Sequence, residues 1–286
     1  MPIRLIAMDM DGTLLNQQPD SIPEENVKAL RKAKQQGIHL ALCSGRLPDD
    51  AGFFAKDAGL DMTVLALNGG CRTDHPLGEV HDSYLLQPAI CQQLLKLLDE
   101  TDLLYGVFRE NTLAINRLER EHEKAGLLWG THILRQGSRG SICYGKEAAH
   151  ALTATGCNKI VAIDEEDQGA LTRLHQRIQA EIQGISISSS WHNNLEVNPA
   201  GVDKGHAVTR LAKELGIPMT DVMTIGDNEN DISMLKCVYW SVAMGNATEN
   251  AMAAARFVTL NNTENGVAAA IRALALGEDC EGVREK

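Results

Sequence analysis

The 286-residue chain is poor in aromatic residues: Phe, Trp and Tyr together make up 4% of it. Its core must therefore be built from Ala, Leu, Ile and Val. It has no surplus of positive charge. With 27 Lys and Arg against 38 Asp and Glu, the net charge is −11, which speaks against nucleic-acid and anionic-membrane partners, since both need basic patches. Any anionic substrate must then meet a local cationic site. No apolar run reaches the ~18–20 residues of a membrane span, and Asp9 breaks the first apolar run too early for a signal-peptide layout. The seven cysteines are odd in number and form no CxxC pair, so neither a disulfide frame nor a zinc knot is expected; the pattern is that of reduced thiols in a cytoplasmic protein. The nine histidines contain no HExxH or comparable ligand spacing. There is no internal repeat and no low-complexity segment. What remains is 44% hydrophobic and 23% charged, an ordinary globular composition in a chain long enough for two domains.

The chain is organised around residues 4–8, a short apolar run that empties into Asp9-Met10-Asp11-Gly12-Thr13. This reads as a buried strand ending in a turn. Asp9 and Asp11 are two apart, so a strand would place both carboxylates on one face. Like charges held that close oppose each other's ionisation, and a cation or a shared proton would relieve them. An acidic surface turn would look the same on its own. The run Ser21-Ile-Pro-Glu24 resembles a capping box, followed by Val27, Leu30 and Ala33 at helical spacing and a stop at Gly37. Residues 38–43 read as a second buried strand ending at Ser44-Gly45-Arg46, residues 48–58 as a helix, and residues 62–67 as a third strand ending at Asn68-Gly69-Gly70. Strands alternate with helices and end in small or polar residues, the pattern of an open parallel sheet whose ligands bind at the carboxyl ends of the strands.

Between residues 84 and 197 the rhythm changes. A helix over 84–98, a hairpin of 103–108 with 112–116 around Glu110-Asn111, a strand over 158–163, a helix over 169–182 and a strand pair at 185–190 and 194–198 suggest an inserted α+β module; residues 119–156 carry no clear period. The βα alternation resumes at Lys204, with helices over 205–215, from 232, over 251–255 and over 266–276, strands at 222–225, 240–244 and 257–260, and a frayed acidic tail after Gly277. The fold class is thus α/β, a Rossmann-like parallel-sheet core (1–83 and 198–286) with an inserted α+β cap (84–197).

Four strand or helix ends now carry polar groups that can converge: Asp9 with Asp11, Ser44 with Gly45, Lys204, and Asp227 with Asn230 and Asp231. A phosphomonoester hydrolase needs such a set. Its acceleration approaches ~10²¹-fold, of which one general acid or base supplies roughly 10²–10⁴. The remainder comes from positioning and from neutralising charge around the phosphoryl oxygens. A carboxylate nucleophile must approach a dianion, so it needs a divalent cation, and hard oxygen ligands select Mg²⁺. A lysine adds a point charge on the other side, and backbone N–H groups at a helix start complete a cradle.

The stretches DMDGTLL, CSGR, GVDKG and GDNEND, in that order, resemble the four motifs of the haloacid dehalogenase (HAD) superfamily. The insert resembles the type IIB cap of its Cof-like phosphatases, and Asn68-Gly69-Gly70, Leu195–Pro199 and Met244-Gly-Asn-Ala247 are similar to that subfamily's further signatures. The resemblance implies Asp9 as nucleophile and Asp11 as the acid that protonates the leaving oxygen. It implies Asp9, the Asp11 carbonyl and Asp227 as Mg²⁺ ligands, and Met10, Ser44, Gly45, Lys204 and Asn230 as phosphate contacts. Asp231, Asn68 and Arg46 would support them from a second layer, Asp231 as a carboxylate steadying the metal's water. A plainer reading stands beside several of these. Ser44 would serve as a helix N-cap, Lys204 as a solvated lysine, Asp227 and Asp231 as helix caps, Arg46 as a surface ion pair, and Asn68 as a turn residue. Trp191-His192 reads as cap structure and Cys43 as a buried small residue.

The expected function is Mg²⁺-dependent hydrolysis of a small phosphorylated metabolite, of which sugar phosphates are the first candidates and cofactor phosphates the next. A phosphomutase of the same superfamily and a non-catalytic phospho-ligand sensor are the alternatives. Retention of both acids in DMD argues against the sensor. Nothing in the pattern specifies an oligomeric state.

Overall fold

The computed structural model describes residues 3–16, 21–117, 139–164, 168–189 and 193–286. In chain order, β1 (Leu5–Asp9) leads through a tight turn into α1 (Glu24–Gln35), β2 (His39–Cys43), α2 (Pro48–Asp57), β3 (Thr63–Ala66) and β4 (Cys71–Thr73). The chain leaves through β5 (Asp82–Ser83) into α3 (Pro88–Asp99), β6 (Leu104–Arg109), β7 (Thr112–Ile115), β8 (Ser141–Tyr144), α4 (Lys146–Thr153), β9 (Lys159–Ile163), α5 (Gln168–Glu181), β10 (Ile185–Ser188) and β11 (Asn194–Pro199). It then continues as α6 (Lys204–Glu214), β12 (Val222–Gly226), α7 (Ile232–Lys236), β13 (Trp240–Ala243), α8 (Glu249–Ala254), β14 (Phe257–Val258), α9 (Gly266–Ala270) and β15 (Arg284–Glu285). Two compact units result: residues 1–81 with 203–286, and residues 82–202. The sequence places the two crossings at 84 and 197.

In the first unit the strand order is β15-β14-β13-β12-β1-β2-β3-β4. From β14 to β3 every pairing is parallel, with β1 central: Leu5 stands opposite Val222 on one side and His39 on the other. All five β1 residues are buried, the expected consequence of a strand covered on both faces. One face packs under α6 through Leu5, Ala7, Ala41, Ala207, Val208, Leu211 and Met234; on the other, α1 lies against α9 and β2. Leaving β1 the chain winds toward β2, whereas β12 lies on the opposite side. The strand order therefore reverses at β1, and the carboxyl ends beside such a switch point are where open sheets bind ligands.

The second unit holds a six-stranded sheet, β10-β11-β9-β6-β7-β8. Its hairpin β6–β7 turns at Glu110, where φ is +49. The helices cover one face through a cluster that includes Leu94, Leu98, Tyr105, Val107, Ile160, Leu174 and Leu195.

Several expectations are corrected. Ser21 is not a cap: the first helix starts at Glu24 with Pro23 in the capping position and no side-chain cap, because the residue before a proline is steered out of the helical region. For the same reason the helix expected from residue 84 begins at Pro88; Leu86 instead bridges to Cys157. β4 runs antiparallel to β3, an addition to the parallel pattern. The tail is not frayed at its end, since Arg284 and Glu285 pair with Val258 and Phe257. Trp191 and His192, and most of the unpatterned stretch after residue 118, lie outside the described residues. No helix among the described residues is long and apolar enough to cross a membrane.

Candidate active site

Three parallel strands end side by side. Asp9 closes β1, level with Cys43 on β2; Ser44 follows β2, and Asp227 follows β12, so adjacent strand ends place them together. Lys204 arrives from a different direction, as the first residue of α6. Its approach depends on Gly205, where an added Cβ would lie 2.5 Å from the Ser233 carbonyl oxygen; only a glycine lets α6 come this close.

Lys204, 1% exposed, donates from Nζ to Asp9 Oδ1 at 2.5 Å and to Asp231 Oδ1 at 2.6 Å. Both lysine and carboxylates are buried, so this is not a solvated lysine. Asp231 Oδ2 accepts the backbone N–H groups of Asp227 (2.8 Å) and Asn228 (3.0 Å), so its oxygens are engaged in fixing the loop after β12. The helix-cap reading is corrected: Asp231 stands at the capping position of α7 without a side-chain cap bond, and it forms instead, with Asn228, a capping box on the preceding turn Glu229–Asp231. Asp227 accepts from Thr13 Oγ1 at 2.6 Å.

Carboxylate oxygens of Asp9, Asp227 and Asp231 lie within 4.8 Å of one another. Three buried carboxylates face one ammonium, which leaves two negative charges uncompensated, the deficit that one divalent cation fills. The electrostatics register the strain. Burial pushes the Asp9 carboxyl well above the carboxylate range, and the Asp231 charge adds to it although Lys204 opposes. Burial and then Asp231 raise Asp227 to about 7. Burial alone would lower Lys204, but Asp231 and Asp9 more than reverse that and hold it protonated. With Lys204 and two N–H groups on Asp231, the carboxylates of Asp9 and Asp227 are the oxygen donors facing the remaining charge. An all-oxygen donor set of this kind suits a hard cation.

β1 ends at Asp9, so strand alternation does not govern Asp11. The turn Met10–Leu14, with Gly12 at φ +81, carries it instead. The Asp11 side chain is half exposed and takes a two-point contact from Arg46, Nε to Oδ2 at 2.8 Å and Nη2 to Oδ1 at 2.6 Å. Arg46 also lies over the Phe54 ring, 5.3 Å from its centroid. It is thus an ion-pair residue, and its partner is the second acid of the site. Met10 is buried at the start of the same turn.

Ser44 is buried and its Oγ accepts the Arg46 N–H at 3.1 Å. It is not the cap of α2, whose capping residue is Leu47. Gly45 separates Ser44 from Arg46 in this turn. Asn68 sits in the left-handed region (φ 58), next to Leu67 at φ 52, and its N–H donates to the Ser44 carbonyl at 3.0 Å. Its Oδ1 accepts from Asn230 Nδ2 at 3.4 Å, so the loops after β2, β3 and β12 are tied together. Sequence reasoning missed Thr13 on Asp227 and the fit of Gly12, where an added Cβ would lie 2.4 Å from Asp227 Oδ2; the turn-forming DGT run was the signal available for both. Cys43 is buried, as expected of a small core residue.

A parallel α/β sheet with carboxylates, a lysine and a hydroxyl converging at its strand ends defines a class of enzymes that work on anionic groups. The match to a family model is more specific. Residues 6–271 match the haloacid dehalogenase-like hydrolases, and the chain belongs to that family, in its Cof-like branch. It is 28% identical over 283 residues to a phosphatase of Bacillus subtilis (strain 168), YwpJ, covering 93% of this chain and 98% of that one. It is also 28% identical over 270 residues to the pyridoxal phosphate phosphatase YbhA of Escherichia coli (strain K12), covering 94% and 97%. Among solved structures, a haloacid dehalogenase-like hydrolase from B. subtilis superposes with a TM-score of 0.84 at 28% identity, over 95% of this chain and 99% of the other. The enzyme class is that of the phosphoric monoester hydrolases.

Proposed function

We propose that this protein hydrolyses small phosphorylated metabolites, sugar phosphates first among the candidates, by a Mg²⁺-dependent double displacement through Asp9. The observation that carries the reading is the buried Asp9 carboxylate at the end of the central strand, bound on one oxygen by Lys204 and facing Asp227. The family match and the phosphatase relatives support it; the pyridoxal phosphate phosphatase among them keeps cofactor phosphates in the candidate set. Asp9, Asp227 and the Asp11 carbonyl would hold the cation, which when bound neutralises charge on the phosphoryl oxygens.

The chain's own residues do the rest. Asp9 attacks phosphorus while its other oxygen stays on Lys204, whose fixed charge offsets the approach of anion to dianion. For Asp11 to act as the acid, one of its oxygens leaves Arg46 and takes up a proton, which it gives to the leaving oxygen as the phosphorus–oxygen bond breaks, while Arg46 keeps the other oxygen in place. Water then attacks the aspartyl-phosphate, Asp11 takes its proton, and Asp9 is released as carboxylate with inorganic phosphate. The Met10 and Gly45 N–H groups, the Ser44 hydroxyl and Asn230 steady the phosphoryl oxygens, and Asn68 orients Asn230. Asp231 holds Lys204 and the loop of Asp227 in place. All seven cysteines are free thiols, which suits a reducing cytoplasm.

Borohydride reduction during turnover should convert Asp9, and no other aspartate, to homoserine. A chiral phosphorus should emerge with retained configuration, since two in-line steps each invert it. Net inversion would exclude the covalent route, and full activity after exhaustive chelation would exclude the cation. A panel of phosphorylated metabolites ranks the substrates.

A further inference from the structure

We propose that three asparagines, Asn26, Asn246 and Asn262, are positioning residues that clamp the turn bearing the two acids; the inference rests on the function proposed above. The turn Met10–Leu15 departs from β1 with non-helical backbone at Asp11 and Gly12, so the ladder hydrogen bonds of the sheet do not fix it. Three of its carbonyl oxygens are instead taken by side-chain amides from three remote segments. Asn246, in the loop after β13, donates Nδ2 to the Gly12 carbonyl at 2.8 Å. Asn26, on α1, donates to that of Leu14 at 3.2 Å. Asn262, before α9, donates to that of Leu15 at 2.9 Å.

The amides are themselves anchored. Asn246 Oδ1 accepts the backbone N–H of Asn262 at 2.8 Å, and Asn26 Oδ1 accepts that of Ala268 at 3.0 Å. Gly12, Asn246, Asn262 and Leu15 thus form a closed ring of bonds around the turn. Asn246 and Asn26 each donate from Nδ2 and accept at Oδ1, which an amide does and a carboxylate cannot; Asn262 donates twice, from its backbone N–H to Asn246 and from Nδ2 to Leu15. Asn26 is fully buried and Asn262 is 6% exposed, whereas Asn246 is exposed.

The clamp bears on chemistry because of what the turn touches. Thr13 donates to Asp227 Oδ1, and the space beside Asp227 Oδ2 admits Gly12 only because it lacks a Cβ. A shift of the turn therefore moves Thr13 and Gly12 against Asp227. Misplacement by about 1 Å is enough to cost roughly 10²-fold in rate. A purely structural amide would affect stability without touching metal affinity or kcat.

The test uses the full chain and two variants, Asn246→Ala, whose exposed side chain spares the core, and Asn262→Ala. Mg²⁺ binding is read by calorimetry without substrate, and kcat and KM with p-nitrophenyl phosphate. Loss of about 10–100-fold in Mg²⁺ affinity and in kcat, the range for residues that orient ligands, with KM little changed, is the expected result. Asn246→Asp should lose as much as Asn246→Ala, because it turns a donor into an acceptor opposite the Gly12 carbonyl. Unchanged Mg²⁺ affinity and kcat in both variants, whether or not the melting temperature falls, overturns the proposal. If the native protein hydrolyses no phosphomonoester, the proposed function fails; calorimetry then decides the clamp alone.

Discussion

At the scale of single residues the site is a balance of buried charges, and its sign sets opposite outcomes for two substitutions. Asp9→Asn removes one of three carboxylates. Turnover should fall by about 10⁴-fold or more, as when a nucleophile is lost, yet the chelated protein should melt higher than the native one, because a group whose ionisation burial and Asp231 oppose has gone. Lys204→Met should lose turnover too, but the chelated protein should melt lower. Breaking a buried pair by removing one partner costs about 3–5 kcal/mol, and here Asp9 and Asp231 would both lose their cation. Thermal unfolding of both variants in chelator reads the two signs directly; equal shifts in one direction would refute the charge count. The identities of Asp9, Lys204, Asp227 and Asp231 were legible in the sequence because each closes a strand or opens a helix in a recurring motif. The partner of Arg46 was not: the ion pair with Asp11 spans 35 positions, and no local pattern encodes it.

At the scale of elements, the turn after β1 is the part where a small backbone change has the largest consequence. Gly12 combines φ +81 with a forbidden Cβ position against Asp227. Left-handed backbone costs a non-glycine residue roughly 1–2 kcal/mol, which the fold can absorb. The contact with Asp227 it cannot absorb without moving a carboxylate of the site. Gly12→Ala should therefore reduce stability modestly and Mg²⁺ affinity severely. Gly37→Ala, at φ +82 with nothing within 4 Å of the added Cβ, should share the stability loss and keep affinity. Comparing the two by calorimetry and thermal melts separates strain from site geometry. The parallel strands and most helices could be read from alternation because each is an apolar run with a local period. The left-handed pair Leu67–Asn68, the asparagine clamp and β15 could not. Each is stabilised by partners far along the chain, as when Arg284 and Glu285 pair with Val258 and Phe257.

At the scale of the whole molecule, the raised carboxyls of Asp9 and Asp227 link stability to pH. A group whose folded pKa exceeds its unfolded value binds more protons in the native state, so stability falls as pH rises. For Asp227 that contribution is full below about pH 3.9, the unfolded value, and is lost as pH rises through about 7. The metal-free protein should thus melt lower at pH 8 than at pH 5.5, and Mg²⁺ should restore stability most at pH 8, where it replaces the missing protons. A melting temperature flat from pH 5.5 to 8 in chelator would refute the linkage. The division of the chain into two units carries the last expectation. Every group assigned to the phosphoryl chemistry lies in residues 1–81 or 203–286, none in 82–202. The strands that position them, β12, β1 and β2, pair with one another without help from the insert. The insert has a sheet and a hydrophobic cluster of its own, so it adds no strand that β1 needs. If the first unit performs the transfer and the second reads the leaving group, a chain with residues 82–202 replaced by a short flexible linker should still hydrolyse p-nitrophenyl phosphate, whose leaving group needs little recognition. Its kcat/KM values across a panel of phosphorylated metabolites should converge, since discrimination comes from contacts that differ between substrates. A truncated protein that folds, binds Mg²⁺ and still ranks the metabolites as the full chain does would place specificity in the first unit. In that case the reading residues should be sought beside Arg46 and Asn68, whose loops adjoin the acids.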